Sequence, residues 1–204
     1  MDAIVEVAVR RLYARAGINT SEACGAIRLA TAILGTRCIQ VVPRETIPGN
    51  AALSWAGRWP VIHVREGLTT HQLNHSTAHE LGEWHLRTTG YAGPDPEELV
   101  GRITAALCVP RRAFHAARRR LGESIPALSR AFGVSESLMA LRIGECLGHS
   151  TALITKRRVR MRGRRRDWPT TPEGWGDLLA RPQRGGVVVH RIQDARGRVV
   201  LVAR

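Results

Sequence analysis

The chain has 204 residues, 31 Lys and Arg against 17 Asp and Glu, a formal net charge of +14 and a pI near 11.4. That length carries one domain with a real core, or one domain with a small appendage. Four widely spread cysteines (Cys24, Cys38, Cys108 and Cys146) without a CxxC pair argue against a disulfide framework, and no segment reaches the ~18 apolar residues of a membrane span. The N-terminus, MDAIVEVAVRRLYARAG, puts Asp2 and Glu6 early and its arginines after the apolar stretch, the reverse of a signal peptide. A cytoplasmic protein with no membrane partner is expected. The positive charge attracts polyanions non-specifically and leaves nucleic acid open as a partner, although arginine-rich composition also follows from a GC-rich genome.

Residues 2–16 place Ile4, Val5, Ala8, Val9, Leu12 and Tyr13 on one helical face, and Gly17 stops the helix. A second helix is predicted over about 20–34, ending at Gly35. CIQVV (38–42), AALSW (51–55) and PVIHV (60–64) are short, β-branched or aromatic, and separated by turn chemistry, so three strands of a small sheet are expected. A long helix follows, from a cap at Thr69 or Thr70 to about Thr88. Pro96 opens the next helix behind Asp95 as cap, and Pro110 breaks the chain before RRAFHAARRRLG. Residues 125–148 read as helix, turn, helix, with Gly133 in the turn and Ser135 capping the second helix. In KRRVRMRGRRR (156–166) alternation points to a strand with one basic face, and VVVHRI with RVVLVA reads as a terminal hairpin.

The chemistry concentrates in STAHELGEWHLR (76–87). A residue advances about 100° around an α-helix, so positions i and i+4 lie about 40° apart and one turn along. His79 and Glu83 therefore share a stripe and can grip one ion, while Glu80 stands to the side, where a carboxylate can take a proton from an activated water. His85 lies about 120° around from His79 and cannot stand in for a ligand. A rival register pairs His75 with His79, but Ser76 would then occupy the base position; His75 is read as an outer or incidental residue. A His-Glu dipeptide followed by Glu83 is also what an ordinary amphipathic helix can contain.

The order of features around the helix resembles the ImmA/IrrE family of metallopeptidases over roughly residues 38–148. A small sheet leads into a family pattern A-H-E-L-G-H, here Ala78-His79-Glu80-Leu81-Gly82-Glu83. A pattern E-x-x-A-N-x-F-A-A-x-L-L-x-P follows, here EELVGRITAALCVP (97–110), and then LSRAFGVSESLMALRI (128–143). The resemblance implies a zinc endopeptidase that acts on protein substrates, often a transcriptional repressor or other regulator. Carried over by position, His79 is the first metal ligand, Glu80 the general base, Glu83 the second ligand, and Glu97 the third, with Glu98 as a one-residue alternative. Two departures stand out: HExxE replaces HExxH through Glu83, and Val100-Gly101 replaces Ala-Asn, a change read as one of local packing.

Under that ligand set, one neutral imidazole and two carboxylates offset the charge of a divalent ion. The centre becomes a poorer Lewis acid, and water on it is harder to ionise than the pKa of about 7 usual at catalytic zinc. Carboxylate-rich ligation also moves preference from zinc toward harder ions such as manganese. Without an ion, Glu80, Glu83 and Glu97 crowd like charges and call for a partner such as Arg87 or Arg102.

Other candidates have plainer readings. The second helix of the helix-turn-helix stretch offers base edges only Glu136, Ser137, Met139, Ala140 and Arg142, which suits packing better than DNA reading. His63 and His115 are read as half-buried or solvated, His149 and His190 have no nameable partner, and Trp59 and Trp84 are read as core. The expectation is an α+β fold: a small twisted β-sheet against long helices carrying a zincin-like metal site, with a helical pair and a C-terminal β-hairpin appendage. Its parts are N-terminal helices (1–36), a metallopeptidase-like domain (37–148) and a basic β-rich appendage (149–204). The competing expectation is an inactive scaffold that acts in regulation or binds nucleic acid through the basic C-terminal part.

Overall fold

Helix α1 spans Asp2–Arg15 and turns Val5, Ala8, Val9, Leu12 and Tyr13 inward, the three-and-four spacing of one helical face. The Tyr13 hydroxyl donates to the Leu107 carbonyl at 3.0 Å and accepts from the Cys24 thiol at 3.3 Å. Helix α2 spans Ala26–Leu34, shorter than its periodicity predicts, because residues 20–25 turn before the helix begins. The reason lies 48 residues away: the Ala26 N–H donates to the Asn74 side-chain carbonyl, so a buried tertiary partner starts this helix in place of a local cap. Our computed structural model describes residues 2–148 and, beyond them, the backbone of four strands.

Strands β1 (Ile39–Val42), β2 (Ala51–Ala56) and β3 (Trp59–Arg65) form a mixed sheet in the order β1-β3-β2. β1 runs parallel to β3 with Ile39 opposite Ile62, and β2 runs antiparallel to it with Leu53 opposite Ile62. Gly57, with φ 63, takes the first position of the two-residue loop between β2 and β3, where hairpin geometry asks for a positive φ. Ile62 and Val64 are buried on the sheet's inner face.

Helix α3 (Thr70–Thr88) begins with a reciprocal capping box: the Gln72 N–H donates to Thr69 Oγ1 at 3.3 Å, and the Thr69 N–H donates to Gln72 Oε1 at 2.9 Å. Helix α4 (Pro96–Cys108) starts behind Asp95, whose carboxylate accepts from the Glu98 N–H at 3.0 Å. Asp95 is left-handed at φ 46, which an Asp tolerates better than a branched residue. α3 and α4 approach closely at Gly82, where a Cβ would stand 3.4 Å from Ile103 Cγ2 and 3.6 Å from Val100 Cγ1. The Val100 that departs from the family pattern is therefore a packing residue against α3.

Helix α5 (Arg111–Leu121) follows Pro110 and buries Ala113, Phe114 and Ala117. Helix α6 (Ile125–Phe132) ends at the left-handed Gly133. These elements lie in a compact unit spanning Met1–Val134; a second unit, Ser135–Arg204, opens with helix α7 (Glu136–Leu147), capped by Ser135. It continues with β4 (Thr151–Ile154), β5 (Val159–Arg162), β6 (Val187–His190) and β7 (Val199–Ala203), ordered β5-β4-β7-β6 and antiparallel throughout. The terminal hairpin segments are β6 and β7; the side chains of the basic run 156–166 lie outside the described residues. On α7, Ser137, Met139, Ala140 and Arg142 are buried, so four of the five side chains that base reading would need are withdrawn from solvent.

Candidate metal centre

Three donors converge on one turn of α3. A ring nitrogen of His79 and carboxylate oxygens of Glu80 and Glu83 all lie within 4.8 Å of one another. His79 Nε2 stands 3.3 Å from Glu83 Oε1. Bonds of about 2.0–2.1 Å to a tetrahedral ion place neighbouring ligand atoms about 3.3–3.4 Å apart, so this separation matches one edge of such a site. The pair is partly open, with His79 30% and Glu83 19% exposed at the side chain, while Glu80 is 7% exposed. One imidazole and two carboxylates on a half-open turn fit a divalent cation.

Each donor has a physical reason for its setting. Burial raises the carboxyl pKa of Glu80, and the negative charge of Glu83 raises it further; His79, the backbone N–H of Leu53 on β2 and Arg87 pull the other way. β2 is an outer strand of its sheet. Glu83 uses both oxygens: Oε1 faces His79, and Oε2 accepts from Arg87 Nη2 at 2.7 Å. The sequence offered Arg87 or Arg102 as the partner for crowded carboxylates; the i, i+4 spacing brings Arg87 to Glu83.

Glu97 and Glu98 lie exposed in the first turn of α4, and the group within 4.8 Å forms without either of them. His85 is buried, and its pKa is lowered, first by that burial and then by Arg11 and Arg15 of α1. It sits on the packed face of α3 beside Trp84, over whose ring Arg15 lies at 4.9 Å. His71 and His75 are exposed and outside the group. His63, half-buried on β3, reaches Ser54 Oγ with Nε2 at 2.7 Å, and its buried Nδ1 has no partner among the described residues. Trp84 is core, as expected; Trp59 is not, being 61% exposed where the β2–β3 ladder ends and Arg58 lies over its ring at 5.4 Å. The contribution of Leu53 is the one that reading the residues missed, since a backbone donor at a strand edge leaves no mark in sequence.

Two comparisons with known proteins bear on the fold and family of the chain. The chain is similar over 98% of its length to a Mycobacterium tuberculosis transcriptional regulator of solved structure, covering 76% of that chain at 18% identity with a TM-score of 0.61, a likeness of fold. No curated protein matches the sequence. Residues 46–144 match the family model of the IrrE N-terminal-like domain, a stretch holding β2, β3, α3 and α4 and thus every donor described above. Residues 46–144, 99 of the 204, thus carry a likeness to the ImmA/IrrE family of metallopeptidases, the family that the sequence motifs resemble.

Proposed function

We propose that the protein is a metal-dependent endopeptidase of reduced power, acting on protein substrates such as transcriptional regulators. The observation that carries this reading is the convergence of His79, Glu80 and Glu83 within 4.8 Å on a half-open helical turn, inside the family-matched segment. His79 and Glu83 would hold the ion, with Glu97 or Glu98 of α4 as the third ligand, and zinc, or manganese given the carboxylates, as the ion. A bound ion of this kind supplies Lewis-acid polarisation of a peptide carbonyl and acidifies water beside it. Glu80 is the group that takes the proton from the attacking water and returns it to the leaving amine. Its buried carboxylate, beside the two ligands on the same turn, is placed for both transfers.

β2 gives such a substrate somewhere to lie. As an outer strand it offers an extended peptide backbone pairing, and Leu53 on that strand is among the groups that influence Glu80, so a peptide paired there would run on the side of the base. Four buried cysteines, with no disulfide among the described residues, suit work in a reducing compartment such as the cytoplasm.

A second reading has its own support. Arg87 neutralises Glu83 from within the chain, and the structural relative carries the name of a transcriptional regulator, so an inactive regulatory scaffold is the alternative. Cleavage of an unfolded protein such as casein by zinc-loaded or manganese-loaded chain separates the two. Metal-dependent proteolysis that Glu80→Gln abolishes supports the peptidase. Bound metal without any Glu80-dependent cleavage supports the scaffold.

A further inference from the structure

The arginines of this protein are not spread evenly. Residues 1–110 hold ten arginines and ten carboxylates, a balance of zero, while residues 111–130 hold six arginines and a single carboxylate, Glu123. The whole net charge of the unit Met1–Val134 therefore comes from α5, the turn after it and α6. Within that stretch Glu123 is bound to Arg118, with Arg118 Nε at 3.1 Å from Oε1. Arg112, Arg119 and Arg120 on α5 and Arg130 on α6 are exposed and have no ion-pair partner among the described residues.

From this segregation we infer that the exposed face of α5 is a docking surface for duplex DNA, contacted through its phosphates and without regard to base sequence. The inference is independent of the metal site. Arg112 and Arg119 are seven residues apart, two turns and about 10.5 Å along the helix and nearly in line, with the small Ala116 between them. The opposite face is fixed by the burial of Ala113, Phe114 and Ala117, so the arginines are presented on a rigid element. Guanidinium forks match phosphate oxygens two at a time, and a DNA duplex presents about one negative charge per 1.7 Å of its axis, a continuous row of such oxygens along the length of the helix face.

The same face lacks what other polyanions need. Its exposed positions carry arginine and alanine and no aromatic side chain, so there is no platform on which the bases of a single strand could stack. It also exposes no Trp, Phe or Leu wedge, and the apolar side of the helix is already used inside the protein, so it lacks the second half of a membrane-surface helix.

Fluorescence anisotropy of a labelled 20-base-pair duplex, titrated with the full chain across a range of salt, tests this. Each phosphate neutralised contributes about −0.9 to the slope of log affinity against log salt. The triple variant Arg112→Gln, Arg119→Gln, Arg120→Gln should lose about 2–3 units of that slope and at least about tenfold in affinity at moderate salt. Replacing the same three by Lys, which keeps the charge, should restore most of the slope. The control triple Arg28→Gln, Arg37→Gln, Arg44→Gln removes equal charge from exposed positions elsewhere in the same unit and should shift the slope by less than about one unit. The basic C-terminal segment is present in every variant and cancels. Should the α5 triple fold poorly, Arg119→Gln alone still predicts a shift of about 0.9. Equal losses in both triples, an unchanged slope in the α5 triple, or α5-dependent binding to phosphatidylserine vesicles without α5-dependent binding to the duplex would each overturn the inference.

Discussion

The turn of α3 that carries His79, Glu80 and Glu83 and the outer face of α5 are both charged helical surfaces, and they are built on opposite terms. On α3 the charges are few, partly buried and brought within 4.8 Å of one another, so the energy of each depends on its neighbours. Burial raises the pKa of Glu80, and Glu83 is shared between His79 and Arg87. On α5 the charges stand in solvent, screened over about 8 Å at physiological salt, and no distance between any two of them is critical. Chemistry at a point requires convergence and desolvation. Attraction to a long polyanion requires only that charge of one sign be kept on one side.

That contrast can be broken or sharpened by substitution, beginning with the largest expected effect. Glu80→Gln keeps the shape of the α3 turn and removes its proton acceptor. Proteolysis should fall about 10²–10⁴-fold while bound metal is retained, as measured by product formation and elemental content on the same sample. Arg87→Ala takes away the partner that holds Glu83 Oε2. Outer partners of ligating groups are commonly worth about 10–100-fold in metal affinity, so a weakening of about tenfold is expected in competition with a chromogenic chelator. Tighter binding would show that Arg87 competes with the ion for Glu83.

Packing beneath the cluster comes next. Gly82→Val inserts a branched side chain where a Cβ alone already meets Ile103 and Val100, and should destabilise the protein by about 1–3 kcal/mol in denaturant titration. The smallest effect concerns His85, whose pKa in the fold lies below its ordinary 6.5. Above pH 6.5 it is neutral folded or unfolded and has no influence. As pH falls below 6.5 the unfolded chain takes up the proton first, so stability drops until the folded pKa is passed. His85→Gln should flatten the acid side of a melting-temperature profile and leave the alkaline side unchanged.

Much of this architecture was legible in sequence where its causes are local. Thr69 and Gln72 mark the start of α3 because the capping box closes within four residues, and Asp95-Pro96 and Gly133 work in the same way. The start of α2 was misplaced because its cap, Asn74, comes from another helix. The parallel pairing of β1 with β3 depends on the path of the chain between them, which strand patterning does not encode. His79, Glu80 and Glu83 could be grouped in advance because helical geometry alone brings them together, and Arg87 follows from the same spacing. Glu97 is a different matter: its relation to that turn is set by how α4 lies on α3, a tertiary quantity. Trp59 was misjudged because composition does not reveal that the ladder ends at that pair.

The central claim is that a carboxylate at position 83 serves with His79 as a ligand where related proteins are expected to carry a second imidazole. Calorimetric titration of zinc and of manganese into the metal-stripped chain, into His79→Ala and into Glu83→Ala tests it most directly. The account predicts about one site per chain, lost in both variants. A wild-type chain that binds neither ion, or a Glu83→Ala chain that binds as the wild type does, would contradict it.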